Sequence, residues 1–109
     1  MRTQLALTHR EGAMDLPAEF ALHRNRPNPF TRSTTIGFDL PVASPVSLEV
    51  FDLLGRRVAT LARGQYPAGR HMAVWNLREG SGASVHPGIY VYRLEAGTFR
   101  ARRKMSVLQ

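Results

Sequence analysis

The chain of 109 residues contains no cysteine. Disulfides and thiolate metal sites are therefore excluded. The compartment is not fixed by this absence, because an exported protein can do without disulfides. Lysine occurs once, at Lys104, and acidic residues number 8 against 15 Lys+Arg, for a net charge of +7. Arginine thus carries nearly all the positive charge. Such a balance permits docking to acidic proteins, phosphate-bearing glycolipids or nucleic acid, and selects none of them. Long apolar runs are also missing. None approaches the ~20 residues that cross a bilayer as a helix, so no transmembrane segment is expected. The opening MRTQLALTHREGAMD has a short apolar stretch broken by Gln4, Thr8 and His9, which does not make a signal peptide. Export would then require a signal of another kind, or one further upstream.

What is present is enough apolar residue, 43%, for one domain with a thin core. A chain this size buries roughly 60–65% of its unfolded surface. Residues 1 to about 22 keep no sustained period and read as a tether, or as the end of something larger. PAEFAL, residues 17–22, could form a short helix there, the alternative being a partly ordered tail. From Thr34 onward the period is two. Ile36, Phe38 and Leu40 share one face until Pro41 stops the ladder. Val46, Leu48 and Val50 repeat the pattern. DLLGRR reads as a turn on Gly55, and Val58 and Leu61 belong to a third strand. GQYPAGR reads as a loop. HMAVWN and GIYVYRLEA carry apolar residues on both faces and read as central strands, or as strands that also cover a second surface. REGSGASVHPG reads as a hairpin loop, since it lacks the lysine and following helix of a phosphate loop. FRARRKMSVL sets Phe99, Ala101, Met105 and Val107 on one face, with Arg100, Arg102, Lys104 and Ser106 on the other. Short strands at this spacing, separated by Gly/Pro turns, predict an antiparallel β-sandwich.

NRPNPF, residues 25–30, is the odd segment. Proline biases the residue before it toward extended backbone, so Arg26 and Asn28 are expected to form a stiff extended lead. Phe30 would then drop into the open end of the core, where burial contributes about 1.5–3 kcal/mol.

Little suggests catalysis. His9, His23, His71 and His86 have no short metal-site spacing, and Asp39, Glu49 and Asp52 fall on outer faces or strand ends. No catalytic residue, cofactor or metal is expected. Trp75, Tyr90 and Tyr92 read as core rather than as a sugar-stacking platform. Arg93, Arg100, Arg102 and Lys104 form a basic face, with cations about 7 Å apart along the last strand. One reading is a docking strip for an acidic channel protein or an acidic glycolipid. The other is an edge strand guarded against unwanted pairing. Nucleic acid is not expected as a partner, because that would want aromatics interleaved on the same face.

Taken in order, NRPNPFTRSTTIGFDLP, VSLEVFDLLGRRVATL, PAGRHMAVWN, HPGIYVYRLEAG and RKMSVL resemble the type A C-terminal sorting domain of type IX secretion cargo. They are also similar to the Ig-like domain of the flagellar hook-capping protein. Arg26 stands where the sorting-domain pattern has tyrosine, and SVLQ lacks its frequent final lysine. The resemblance implies an all-β, Ig-like sandwich of six to seven short strands over 25–109, with 1–24 as tether or upstream remnant. It implies an exported protein, periplasmic in transit and then at the outer-membrane surface or outside the cell. Its partners would be secretion-channel or surface-attachment proteins, an acidic glycolipid, and its own upstream cargo domain. The motif positions fall on Pro27, Asn28, Pro29, Phe30, Gly55, Gly88, Tyr90, Lys104 and Val107. The hook-capping likeness implies instead a structural module packed within a larger protein or assembly.

Overall fold

The computed structural model describes residues 16–108, so expectations for residues 1–15 lie outside it. Seven strands follow one another: β1 (Ala21–Leu22), β2 (Thr34–Leu40), β3 (Ser44–Phe51), β4 (Arg57–Tyr66), β5 (Gly69–Trp75), β6 (Gly88–Ala96) and β7 (Phe99–Val107). They form two antiparallel sheets, ordered β1-β2-β5 and β4-β3-β6-β7. The expected sandwich is therefore the observed one. Its core is built from the inward halves of the alternating strands: Ile36, Phe38 and Leu40 from β2, Val46, Leu48 and Val50 from β3, and Tyr92 and Leu94 from β6. Removing these faces from water is the main force holding the layers together.

Strand pairing begins inside the segment expected as a tether. Ala21 and Leu22 pair with Asp39 and Phe38, where the sequence suggested a helix. A six-residue helix has too few turns to repay its nucleation. Leu22 buries itself in the core, and Phe20 stacks on Phe99 with ring centroids 5.2 Å apart. Two bonds stitch this segment to the other sheet. Tyr92 Oη donates to the His23 carbonyl at 2.6 Å, and Arg103 Nε donates to the Leu22 carbonyl at 2.7 Å.

β5 departs from expectation. Among the described residues it pairs only with β2, so it is an edge strand there rather than a central one. Its apolar outer residues suggested cover on both sides, yet Met72 and Val74 are 79% and 62% exposed. β6 is central, as its sequence implied, lying between β3 and β7. In β4 the register to β3 skips twice, leaving Val58 and Leu61 as extra residues. These two bulges hand the buried positions to Ala59 and Ala62. The loop read as GQYPAGR contracts to Pro67 and Ala68, because the strands continue to Tyr66 and resume at Gly69. REGSGASVHPG does contain a small hairpin, bridged between Arg78 and Ser84.

Candidate functional site

The segment from Asn25 to Phe30 is not an extended lead. It bends at Pro27, Asn28 and Pro29, and the Arg26–Pro27 and Asn28–Pro29 bonds are both cis. Polar side chains fix the bend from within. Buried Asn25 donates through Nδ2 to Thr34 Oγ1 at 3.0 Å and to the Pro27 carbonyl at 3.3 Å. Thr34 Oγ1 donates to the same carbonyl at 2.9 Å. The chain then meets the far end of β7. The Phe30 N–H donates to the Ser106 carbonyl at 3.1 Å, and the Leu108 N–H donates to the Phe30 carbonyl at 2.8 Å. Asn28 Oδ1 accepts the Ser106 N–H at 2.9 Å. Residues 77 positions apart are thus held in one short parallel bridge, Phe30 to Val107 — hence the last strand cannot fray without breaking it.

Phe30 enters the core as its sequence suggested, 2% exposed. Its ring meets Trp75 edge-on at 6.0 Å, and Trp75 meets Tyr90 in the same way at 5.5 Å. Such edge contacts add about 0.5–1.5 kcal/mol beyond burial. The polar ends of both rings find partners: Trp75 Nε1 donates to the Arg78 carbonyl at 3.0 Å, and Tyr90 Oη to the His86 carbonyl at 2.6 Å. Burial raises both the Tyr90 and the Tyr92 hydroxyl above the ordinary phenol value.

The motif positions converge on this end of the sandwich. Gly88 faces Val107 across β6 and β7, Tyr90 faces Met105, and Val91 faces Lys104. Phe51 faces Val91 from the other side, which brings the Asp52–Arg56 turn to the same end. There Gly55 takes φ +85°, open to glycine and costly for a branched residue. Asp52 closes the turn by accepting the Leu54 and Arg56 N–H groups through Oδ1, both at 2.9 Å. The Arg56 backbone bond, first among several, holds the Asp52 carboxyl below its usual value. Pro29 and Lys104 are exposed and Val107 is buried.

The basic face is less uniform than its sequence. Arg93 is tied down, with Nη2 3.3 Å from Glu49 Oε1 and Nε 3.8 Å from Glu95 Oε2. Its guanidinium lies 4.7 Å from the Phe51 ring centroid. Glu49, only 7% exposed, also takes Arg57 at 3.1 Å. This buried carboxylate under two arginines was not anticipated; outward alternation alone made it look solvated. Arg100 shares Glu95 at 3.6 Å. Among the described residues, no carboxylate lies within ion-pair distance of Arg102 or Lys104. The strip that faces solvent with unneutralised charge therefore narrows to those two side chains. Among the described residues His23 and His71 have separate partners: His23 meets Asp39 at 2.9 Å, whereas His71 meets the Pro67 carbonyl at 2.8 Å and stacks on Phe38.

No protein-family model matches the chain, and no curated protein matches it. Its fold recurs in solved structures. It is similar to part of dimeric latent PorU from Porphyromonas gingivalis, with TM-score 0.66 and 21% identity over 84% of this chain. FlgD from Pseudomonas aeruginosa is similar with TM-score 0.54 and 25% identity over 68% of this chain. PorZ, an essential surface component of the type IX secretion system of P. gingivalis, is similar with TM-score 0.54 and 17% identity over 95%. The chain spans only 10% of PorU, 13% of PorZ and 57% of FlgD.

Proposed function

We propose that this chain is a non-catalytic sorting and anchoring domain that directs an attached cargo protein through a type IX secretion system. The observation that carries the reading is the closure of NRPNPF onto the last strand. Asn28 and Phe30 bond Ser106 and Leu108, so the terminal strand stays folded while Arg102 and Lys104 face outward. A cationic strip on a fixed edge is a surface that an acidic channel or surface-attachment protein reads without unfolding it. An acidic glycolipid is the further partner in this reading, and the upstream cargo domain the covalent one. Support comes from the fold shared with PorU and PorZ, together with the five sequence blocks in order.

The test is a fusion of residues 16–109 behind an exported reporter in a type IX-competent host. The expected outcome is reporter at the cell surface or in the medium. Reporter held in the periplasm overturns the proposal. A second reading, a structural Ig-like module of the hook-capping type, is favoured by the likeness to FlgD, the highest in identity of these three and the one of which the chain covers most. It predicts an upstream sequence with scaffold rather than cargo character.

A further inference from the structure

In an antiparallel pair, successive residues turn their N–H and C=O groups alternately toward and away from the neighbouring strand. On β2, Thr35 exchanges both backbone bonds with Arg26, and the Gly37 carbonyl accepts from His23, at 2.8–2.9 Å. Thr35 and Gly37 therefore direct their backbone groups toward β1. Their register partners on β5 are Val74 and Met72. It follows that Val74 and Met72 direct their own N–H and C=O groups away from β2, to the open side of β5. Among the described residues, no backbone bond from outside the sheet reaches either one. The side chains of the same two residues are the exposed apolar pair on the outer face.

The other three edges are blunted. β1 is two residues long. β4 carries two bulges, and its Val58 carbonyl is taken by the Gly80 N–H at 3.0 Å. β7 bears Arg100, Arg102, Arg103 and Lys104 and is closed at its end by Phe30. β5 carries one arginine, Arg70, near its start, but among the described residues it has neither a bulge nor a segment closing its end. It runs seven residues in unbroken register, without proline, lysine or bulge. Such an edge is a template for one more strand.

We propose that β5 pairs antiparallel with β5 of a second copy of this chain, extending the three-stranded sheet into one of six strands. A two-fold axis at Ala73 sets Met72 opposite the second copy's Val74, and Arg70 opposite the second copy's Asn76. Four apolar side chains then form one strip on the outer face, and no like charges oppose each other. The same operation on β7 would set Arg102 against Lys104. Self-pairing is thus favourable at β5 and opposed at β7. The contact is small, so the pair is weak and reversible.

The experiment is sedimentation of the full chain between about 1 µM and 1 mM, at ~0.15 M salt to screen the charge that each copy carries. Amide exchange is measured at both ends of that range. The expected result is a dimer fraction that rises with concentration, with the Met72 and Val74 amides protected only in the dimer. Met72→Lys, at an exposed position, should weaken the dimer at least tenfold without changing the melting temperature. Arg102→Glu should leave it intact. A monomer throughout, a dimer with both amides unprotected, or a dimer lost in Arg102→Glu but kept in Met72→Lys would overturn the proposal.

Discussion

β7 and β5 are both edge strands, nine and seven residues long. β7 is sealed at its end by Asn28 and Phe30 and lined on its outer face by cations. β5 ends in the buried Trp75 but leaves its flank bare, and its outer face sets Arg70 beside the exposed Met72 and Val74. Backbone pairing stops at both, so what differs is only what side chains and a distant loop bring to them. An edge can be made safe by charge and closure, or left able to accept a partner, and this sandwich does one on each sheet.

The sharpest way to break the contrast is Phe30→Ala. It should cost about 3–5 kcal/mol, because it empties the site against Trp75, out of a total of roughly 5–15 kcal/mol. Chemical denaturation measures the loss, and an unchanged midpoint would show that the seal does not depend on that ring. Tyr92→Phe comes next, at about 1–1.5 kcal/mol, since it strips the partner from the His23 carbonyl. The same variant tests pH dependence. With its hydroxyl raised above the ordinary value, folded Tyr92 keeps its proton after the unfolded chain has lost it. Stability is whole below about pH 10 and falls as pH climbs toward the raised value. Tyr92→Phe should shrink that alkaline loss, leaving the part due to Tyr90.

Asn28→Ala should cost about 1 kcal/mol and speed amide exchange at Ser106 while leaving β5 unchanged. Smallest of all, Arg102→Ala with Lys104→Ala should move stability by no more than about 0.5 kcal/mol. It should nonetheless weaken salt-sensitive retention on an anionic matrix, because two unpaired outward cations are lost.

Much of the sandwich was legible. Ile36, Phe38 and Leu40, or Val46, Leu48 and Val50, alternate so regularly that face and period follow directly. The outward set of β7 was equally plain. What stayed hidden was whatever depends on neighbours. Met72 and Val74 imitate a central strand, because alternation reports that a face is apolar and not that anything covers it. The β4 bulges replace Val58 and Leu61 with small alanines, which no two-residue period anticipates. Glu49 is buried only because Arg57 and Arg93 arrive from two other strands. The motif residues gather at one end for a similar reason: Phe30 and Val107 meet by topology, far apart in the chain. The prolines at 27 and 29 suggested an extended lead, whereas the chain bends there and the bend is fixed by Asn25 and Thr34.

The two bonds that bind the Leu22 and His23 carbonyls to Arg103 and Tyr92 have a mechanical consequence. A heavy passenger linked ahead of Ala21 would pull on β1 first. That strand has only two ladder residues, but its carbonyls are anchored in the opposite layer, so tension is shared by both sheets from the outset. Traction that peeled β1 away would next meet the Arg26–Thr35 pair and only then the Phe30 bridge. Hauling from the front would thus have to undo these attachments in chain order, β1 first and the seal on β7 last.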